Sequence, residues 1–106
     1  IASFMYAQSD EERMHMLKLI KYINQRGGEA VIPAVEMPKL DHSSFKTLFS
    51  QLFEHEVFVS SSINELVHIS LQERDYATHN FLQWYVAEQI EEESTARGIL
   101  DNLTIH

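Results

Sequence analysis

The sequence has no cysteine, so disulfides and thiolate metal sites are excluded. Breakers are nearly as scarce. Gly27, Gly28 and Gly98 are the only glycines, and Pro33 and Pro38 the only prolines. Four of these five lie between residues 27 and 38, so the rest of the chain is free to form long helices around one irregular connection. Basic residues are few: 8 Lys and Arg stand against 16 Asp and Glu, a net charge of −8. That excludes the basic surface that non-specific nucleic-acid binding needs, and suits cation binding or plain solubility. No apolar run approaches the roughly 20 residues of a membrane span, so no membrane partner is expected. No signal peptide or transit segment is recognisable, and the default compartment is the cytoplasm. The opening IASFMY is apolar and uncapped, and reads as a chain entered mid-structure.

What is present is an ordinary globular composition, 44% apolar and 23% charged, over 106 residues, enough for one domain. The expected architecture is all-α. One helix runs from about residue 1 to 26, stopped by Gly27-Gly28. A second runs from about 44 to 71, with Ser43 or Asp41 as its cap. A third runs from about 75 to 103, capped by Asp75. The segment 27–43 reads as a loop, in which Val31, Ile32 and Val35 have room for a short extended stretch. Helices two and three are joined by about four residues and must be antiparallel neighbours. Helices one and two are joined by about 16 residues, which extended reach at most roughly 55 Å. A 26-residue helix is about 39 Å long. The connection can therefore cross the whole bundle and leave helices one and two parallel.

Each helix carries a seam at spacings of three and four. In helix one it is Ile1, Met5, Gln8, Glu12, His15, Leu19 and Tyr22. In helix two it is Phe45, Phe49, Leu52, Glu56, Val59, Ile63 and Leu66. In helix three it is Leu82, Tyr85, Gln89, Glu92, Ala96, Ile99 and Leu103. Each seam is apolar at its ends and polar in its middle. A buried unpaired carboxylate costs several kcal/mol, so three such groups ask for partners or a metal. Their depths agree. Glu56 and Glu92 both lie roughly 26 Å from the turn that joins their helices. Glu12 reaches the same layer if helices one and two are parallel. Glu12-Arg13-Met14-His15 is a Glu-x-x-His unit, which aims a carboxylate and an imidazole at one point. Those donors suit iron, manganese or zinc. Glu12, His15, Glu56 and Glu92 are thus the candidate ligands of a di-metal centre. His42, His55, His68 and His79 are read as surface or hydrogen-bonded residues. Met5, Met14, Met16 and Met37, with Trp84 and Tyr85, are read as packing residues.

DEERMHM on helix one, FEHEVFVSSSINELVH on helix two and NFLQWYVAEQIEEE on helix three resemble bacterial non-haem ferritin, in order and over nearly the whole chain. The resemblance implies a ferritin-like four-helix bundle with a long crossover loop, of which this chain holds three long helices. It implies an iron-storage subunit with ferroxidase activity. Such a subunit is expected to oxidise ferrous iron with oxygen or hydrogen peroxide and to keep it as a ferric mineral inside a homo-oligomeric shell, a 24-mer in the full-length protein. Glu12 and His15 fall on the family's first iron position, Glu56 and Glu92 on the second, with Glu12 bridging. Gln89 matches the glutamine beside the oxygen-binding position. Glu11, Glu88 and Glu91, with Glu92, match a third iron position. No haem is expected, because the second Glu-x-x-His of haem-binding relatives is replaced by Gln89 and Glu92. The family's first helix, which supplies another glutamate and a tyrosine, and its short C-terminal helix have no counterpart in these residues. The subunit is therefore expected to be incomplete. Two other readings stay open: a helical interaction module without ferroxidase activity, and a di-metal bundle oxidase or peroxidase.

Overall fold

A computed structural model describes residues 2–28 and 44–105. It contains α1 (Ala2–Gln25), α2 (Phe45–Gln72) and α3 (Tyr76–Ile105), with no strand among the described residues. The expected crossover and its extended stretch, with Met37 and His42, fall at positions 29–43, outside those residues. The cap of the second helix is Ser44 and not the expected Ser43 or Asp41, because the helix begins at Phe45 and the residue just before it is the one whose side chain reaches Thr47 N. The chain divides into two compact units, Ile1–Met37 and Pro38–His106.

The described residues of the first unit form α1 and its C-terminal closure. Gly27 adopts φ 80, the left-handed conformation that costs an L side chain steric strain. It lets the chain fold back on the helix end: Gly28 N donates to Ile23 O at 3.0 Å and Gly27 N to Asn24 O at 3.1 Å. These are the paired bonds of a Schellman closure. On α1 the seam residues Met5, Gln8, Glu12, His15, Leu19 and Tyr22 are all partly buried. Met14 and Met16 are exposed, at 68% and 45%, contrary to their expected packing role. The reason is their position. Neither lies on the three-and-four spacing that carries Glu12 and His15, so the helix turns them outward.

The second unit is a helical hairpin. Ser44 caps α2: its backbone is extended, and its Oγ accepts from Thr47 N at 3.1 Å. At the other end α2 closes with the same paired bonds as α1. Asp75 N donates to Ser70 O at 2.8 Å and Arg74 N to Leu71 O at 3.1 Å, while Arg74 takes φ 56. Here a side chain stands where α1 has glycine. Asp75 then opens α3, its Oδ1 accepting from Thr78 N at 3.1 Å and its Oδ2 from Thr78 Oγ1 at 2.6 Å. One residue thus ends one helix and caps the next, and only residues 73–75 separate α2 from α3. With so short a turn the two helices lie antiparallel and side by side.

The hairpin's core follows α3 closely. Leu82, Tyr85, Gln89, Glu92 and Ala96 are buried, and they are consecutive members of the expected seam. On α2 the seam holds in the middle and shifts at its ends. Phe49 and Glu56 are buried, but Phe45 and Leu66 are exposed, and Leu48 and Ser70 take the buried places. Phe45 is the first residue of its helix, with no preceding turn to cover it. Beyond Ile63 the inward face passes to Val67 and Ser70 rather than Leu66, because 3.6 residues per turn drift against a strict heptad. Ser70 is satisfied locally, its Oγ donating to Val67 O at 2.7 Å. Tyr85 packs edge-on to Trp84, with centroids 4.9 Å apart, and tilted against Phe81 at 5.6 Å. Burial pushes the Tyr85 hydroxyl up to about 12.

Candidate metal centre

Glu56 is the most deeply buried large side chain of the hairpin, 2% exposed, and Glu92 is 7% exposed. Both lie 16 residues from the turn, Glu56 before Gln72 and Glu92 after Tyr76 (72 − 56 and 92 − 76). At 1.5 Å per residue that places both at about 24 Å from the turn, on one level. Two carboxylates at one level of a buried helix pair are costly without neutralisation.

Gln89 lies three residues before Glu92 on α3, and it spans the gap to α2. Its Nε2 donates to Glu56 O at 3.1 Å, to Glu56 Oε2 at 3.2 Å and to Ser60 Oγ at 3.1 Å. Glu56 O already serves the α-helix ladder, and its second lone pair receives the amide. The bond to Oε2 is charge-assisted when Glu56 is ionised. The seam spacing had missed Ser60. The signal was there: Ser60 sits one turn after Glu56 on the same face, a small polar residue in an otherwise apolar stripe.

The remaining candidates are distributed as follows. On α1, Glu12 and His15 are partly buried one turn apart, and Glu11 is partly buried beside them. His15 Nε2 stands 3.8 Å from Glu11 Oε1, an ion pair when the imidazole is protonated. On α3, Glu88 is partly buried and Glu91 exposed. Glu93 is partly buried and lines a groove with Ser60, Ile63, Asn64, Val86, Gln89 and Ile90, about 160 Å³ in volume. Of the other histidines, His55 and His68 are exposed. His79 engages Gln83, whose Nε2 donates to His79 O at 3.3 Å and lies 3.2 Å from His79 Nε2. No described helix is long and apolar enough to cross a membrane.

The hairpin therefore belongs to the class of helical proteins that bury paired carboxylates at mid-helix. Known proteins narrow this further. The family model described as "Ferritin-like domain" matches residues 1–105. A probable bacterial non-heme ferritin-like protein of Haemophilus influenzae is 46% identical over 102 residues, 96% of this chain and 62% of that protein. A bacterial non-heme ferritin of Campylobacter jejuni is 42% identical over 103 residues, 97% of this chain and 62% of that protein. Among solved structures, Chlorobium tepidum ferritin superposes with a TM-score of 0.94 at 43% identity, covering 98% of this chain and 63% of that one. An open pore ferritin of Archaeoglobus fulgidus gives 0.92 at 46% identity, covering 95% and 62%. The chain belongs to the ferritin family, and its fold is the all-α, four-helix-bundle fold of ferritins. It spans a little under two thirds of the length of these relatives.

Proposed function

We propose that this chain forms part of an iron-storage subunit that binds ferrous iron at a di-iron centre, oxidises it and holds it as ferric mineral. The observation that carries this reading is the pair Glu56 and Glu92, buried at one level of a ferritin-family hairpin, with Glu56 tied to Gln89. Glu12 and His15 are the proposed ligands from α1, on the strength of their seam spacing and their depth in the sequence. The proposed set offers carboxylates from Glu12, Glu56 and Glu92 and an imidazole from His15. Hard oxygen and borderline nitrogen donors suit iron in either oxidation state. Glu11, Glu88 and Glu91, with Glu92, are proposed for a third iron position, and Gln89 for the edge of the oxidant's place.

The chemistry asked of these residues is modest. Carboxylates neutralise the charge that grows as each ferrous ion gives up one electron. Two ions together supply the electron pair that dioxygen or hydrogen peroxide takes up. No haem is needed. A cytoplasmic, homo-oligomeric shell is the proposed setting, as the resemblance to bacterial ferritins implies.

The test is an anaerobic ferrous titration of the intact protein, followed by oxygen consumption on admission of air. Glu56→Ala should remove one tightly bound iron per chain and slow oxidation at least tenfold. An unchanged stoichiometry in the variant would refute the assignment.

A further inference from the structure

We infer that Ser60 is a positioning residue for this centre: its hydroxyl fixes the Gln89 amide, and the amide fixes the carboxylate of Glu56. This deepens the proposed function and rests on it.

The Gln89 amide nitrogen carries two protons, and three acceptors stand within 3.2 Å of it: Glu56 O, Glu56 Oε2 and Ser60 Oγ. Two of these acceptors are held by α2 itself. Glu56 O is part of the helix backbone. Ser60 Oγ hangs on a single torsion one turn further along, with few staggered positions open to it. The carboxylate is the one acceptor on a long side chain. Ser60 and the backbone carbonyl therefore set where the amide points, and the carboxylate turns to meet it. With one lone pair of Oε2 engaged, Glu56 presents its remaining oxygen lone pairs to a metal in one orientation instead of several. Ligand orientation by such an outer partner changes metal affinity by about 10–100-fold in known sites.

Helix propensity does not explain a serine here. Ser60 opens the run Ser60-Ser61-Ser62 in mid-helix, where serine is a weak helix former. Ser62 returns its hydroxyl to Phe58 O at 3.1 Å, the usual local outlet. Ser60 instead accepts from a residue of the neighbouring helix, 29 positions along the chain. It also lines the 160 Å³ groove together with Gln89, so an added methyl group has space there. Threonine should keep the hydroxyl in place, whereas alanine removes it.

Two measurements on the intact protein test this. The first uses metal-free protein and a double-mutant cycle of Ser60→Ala and Gln89→Leu, read as melting temperatures. The two single losses should fail to add in the double variant, since they remove one shared bond. Additive losses overturn the inference whatever the metal does. The second is an anaerobic titration with Co2+ alone, followed by its visible ligand-field bands. Ser60→Ala should weaken uptake at the Glu56 position roughly tenfold and shift or broaden those bands, while Ser60→Thr should stay near wild type. A wild-type isotherm and spectrum in Ser60→Ala overturns the role. A wild-type protein that takes up no cobalt while the cycle stays non-additive refutes the iron reading itself, and the positioning role with it.

Discussion

The middle of the α2–α3 hairpin and its two ends are built from opposite materials. Toward the turn lie Leu82 and Tyr85. At the far end lie Leu48, Phe49 and Ala96, all buried. Between them lie Glu56, Gln89 and Glu92, equally buried and polar. The ends gain stability by removing apolar surface from water, at roughly 25 cal/mol per Å². The middle gains little in net terms, because ionised groups give up hydration that hydrogen bonds only partly return. The difference teaches that the ends hold the hairpin together while the middle is retained for another purpose.

The contrast can be broken most forcefully at the apolar end. Leu82→Ala should lower unfolding free energy by about 3 kcal/mol and leave the number of metal ions bound per chain unchanged in protein that remains folded. Loss of metal with little loss of stability would reverse the roles assigned here. Next comes the buried phenol. Burial raises Tyr85 to about 12 from an ordinary 10. Its neutral form is favoured in the folded state, so its contribution is fully present below pH 10 and is lost as pH rises toward 12. That loss is about 2 kcal/mol, visible as a steeper alkaline decline in denaturant midpoint than Tyr85→Phe shows. Matching declines would refute the burial effect. In the polar middle the sign reverses. Replacing Glu56 and Gln89 together by leucine should raise the metal-free stability by about 1 kcal/mol while removing metal from the Glu56 position. A large destabilisation would show that the middle is structural after all. The smallest effect belongs to the turn. Arg74→Gly relieves a left-handed side chain and should add about 0.5 kcal/mol, read as a rise in melting temperature. A fall would show that the Arg74 side chain outweighs its backbone strain.

Much of this hairpin was legible in the sequence, and the exceptions have definite causes. Helix lengths were readable because glycine and proline cluster at 27–38 and leave the rest uninterrupted. The α3 seam was readable because its apolar and polar members keep one spacing from Leu82 to Ala96. The same rule failed at Phe45 and Leu66, where a helix terminus and accumulated drift decide which side faces inward. At Met14 and Met16 the spacing agrees with their exposure, and it was residue type alone that assigned them to packing. Gln89 and Glu56 could be placed on one face, yet their bond could not be foreseen, because it depends on the rotation of one helix against another. Ser60 could likewise be placed on that face, but its bond to Gln89 could not be foreseen for the same reason. A serine in a helix usually returns its hydroxyl to its own backbone, as Ser62 and Ser70 do.

Asp75 closes α2 through its backbone and opens α3 through its side chain. The turn has no spare residue, and this makes it a ruler for the polar layer 16 positions away. Inserting a single residue just after Asp75, inside the first turn of α3, would shift the register of the rest of that helix by one position, about 100° of rotation and about 1.5 Å of rise. Gln89 would then swing away from Glu56, and Glu88 would take its place. The spacing of the two carboxylates is thus protected at a distance, and lineages of this chain should tolerate substitutions in the turn far more readily than insertions or deletions.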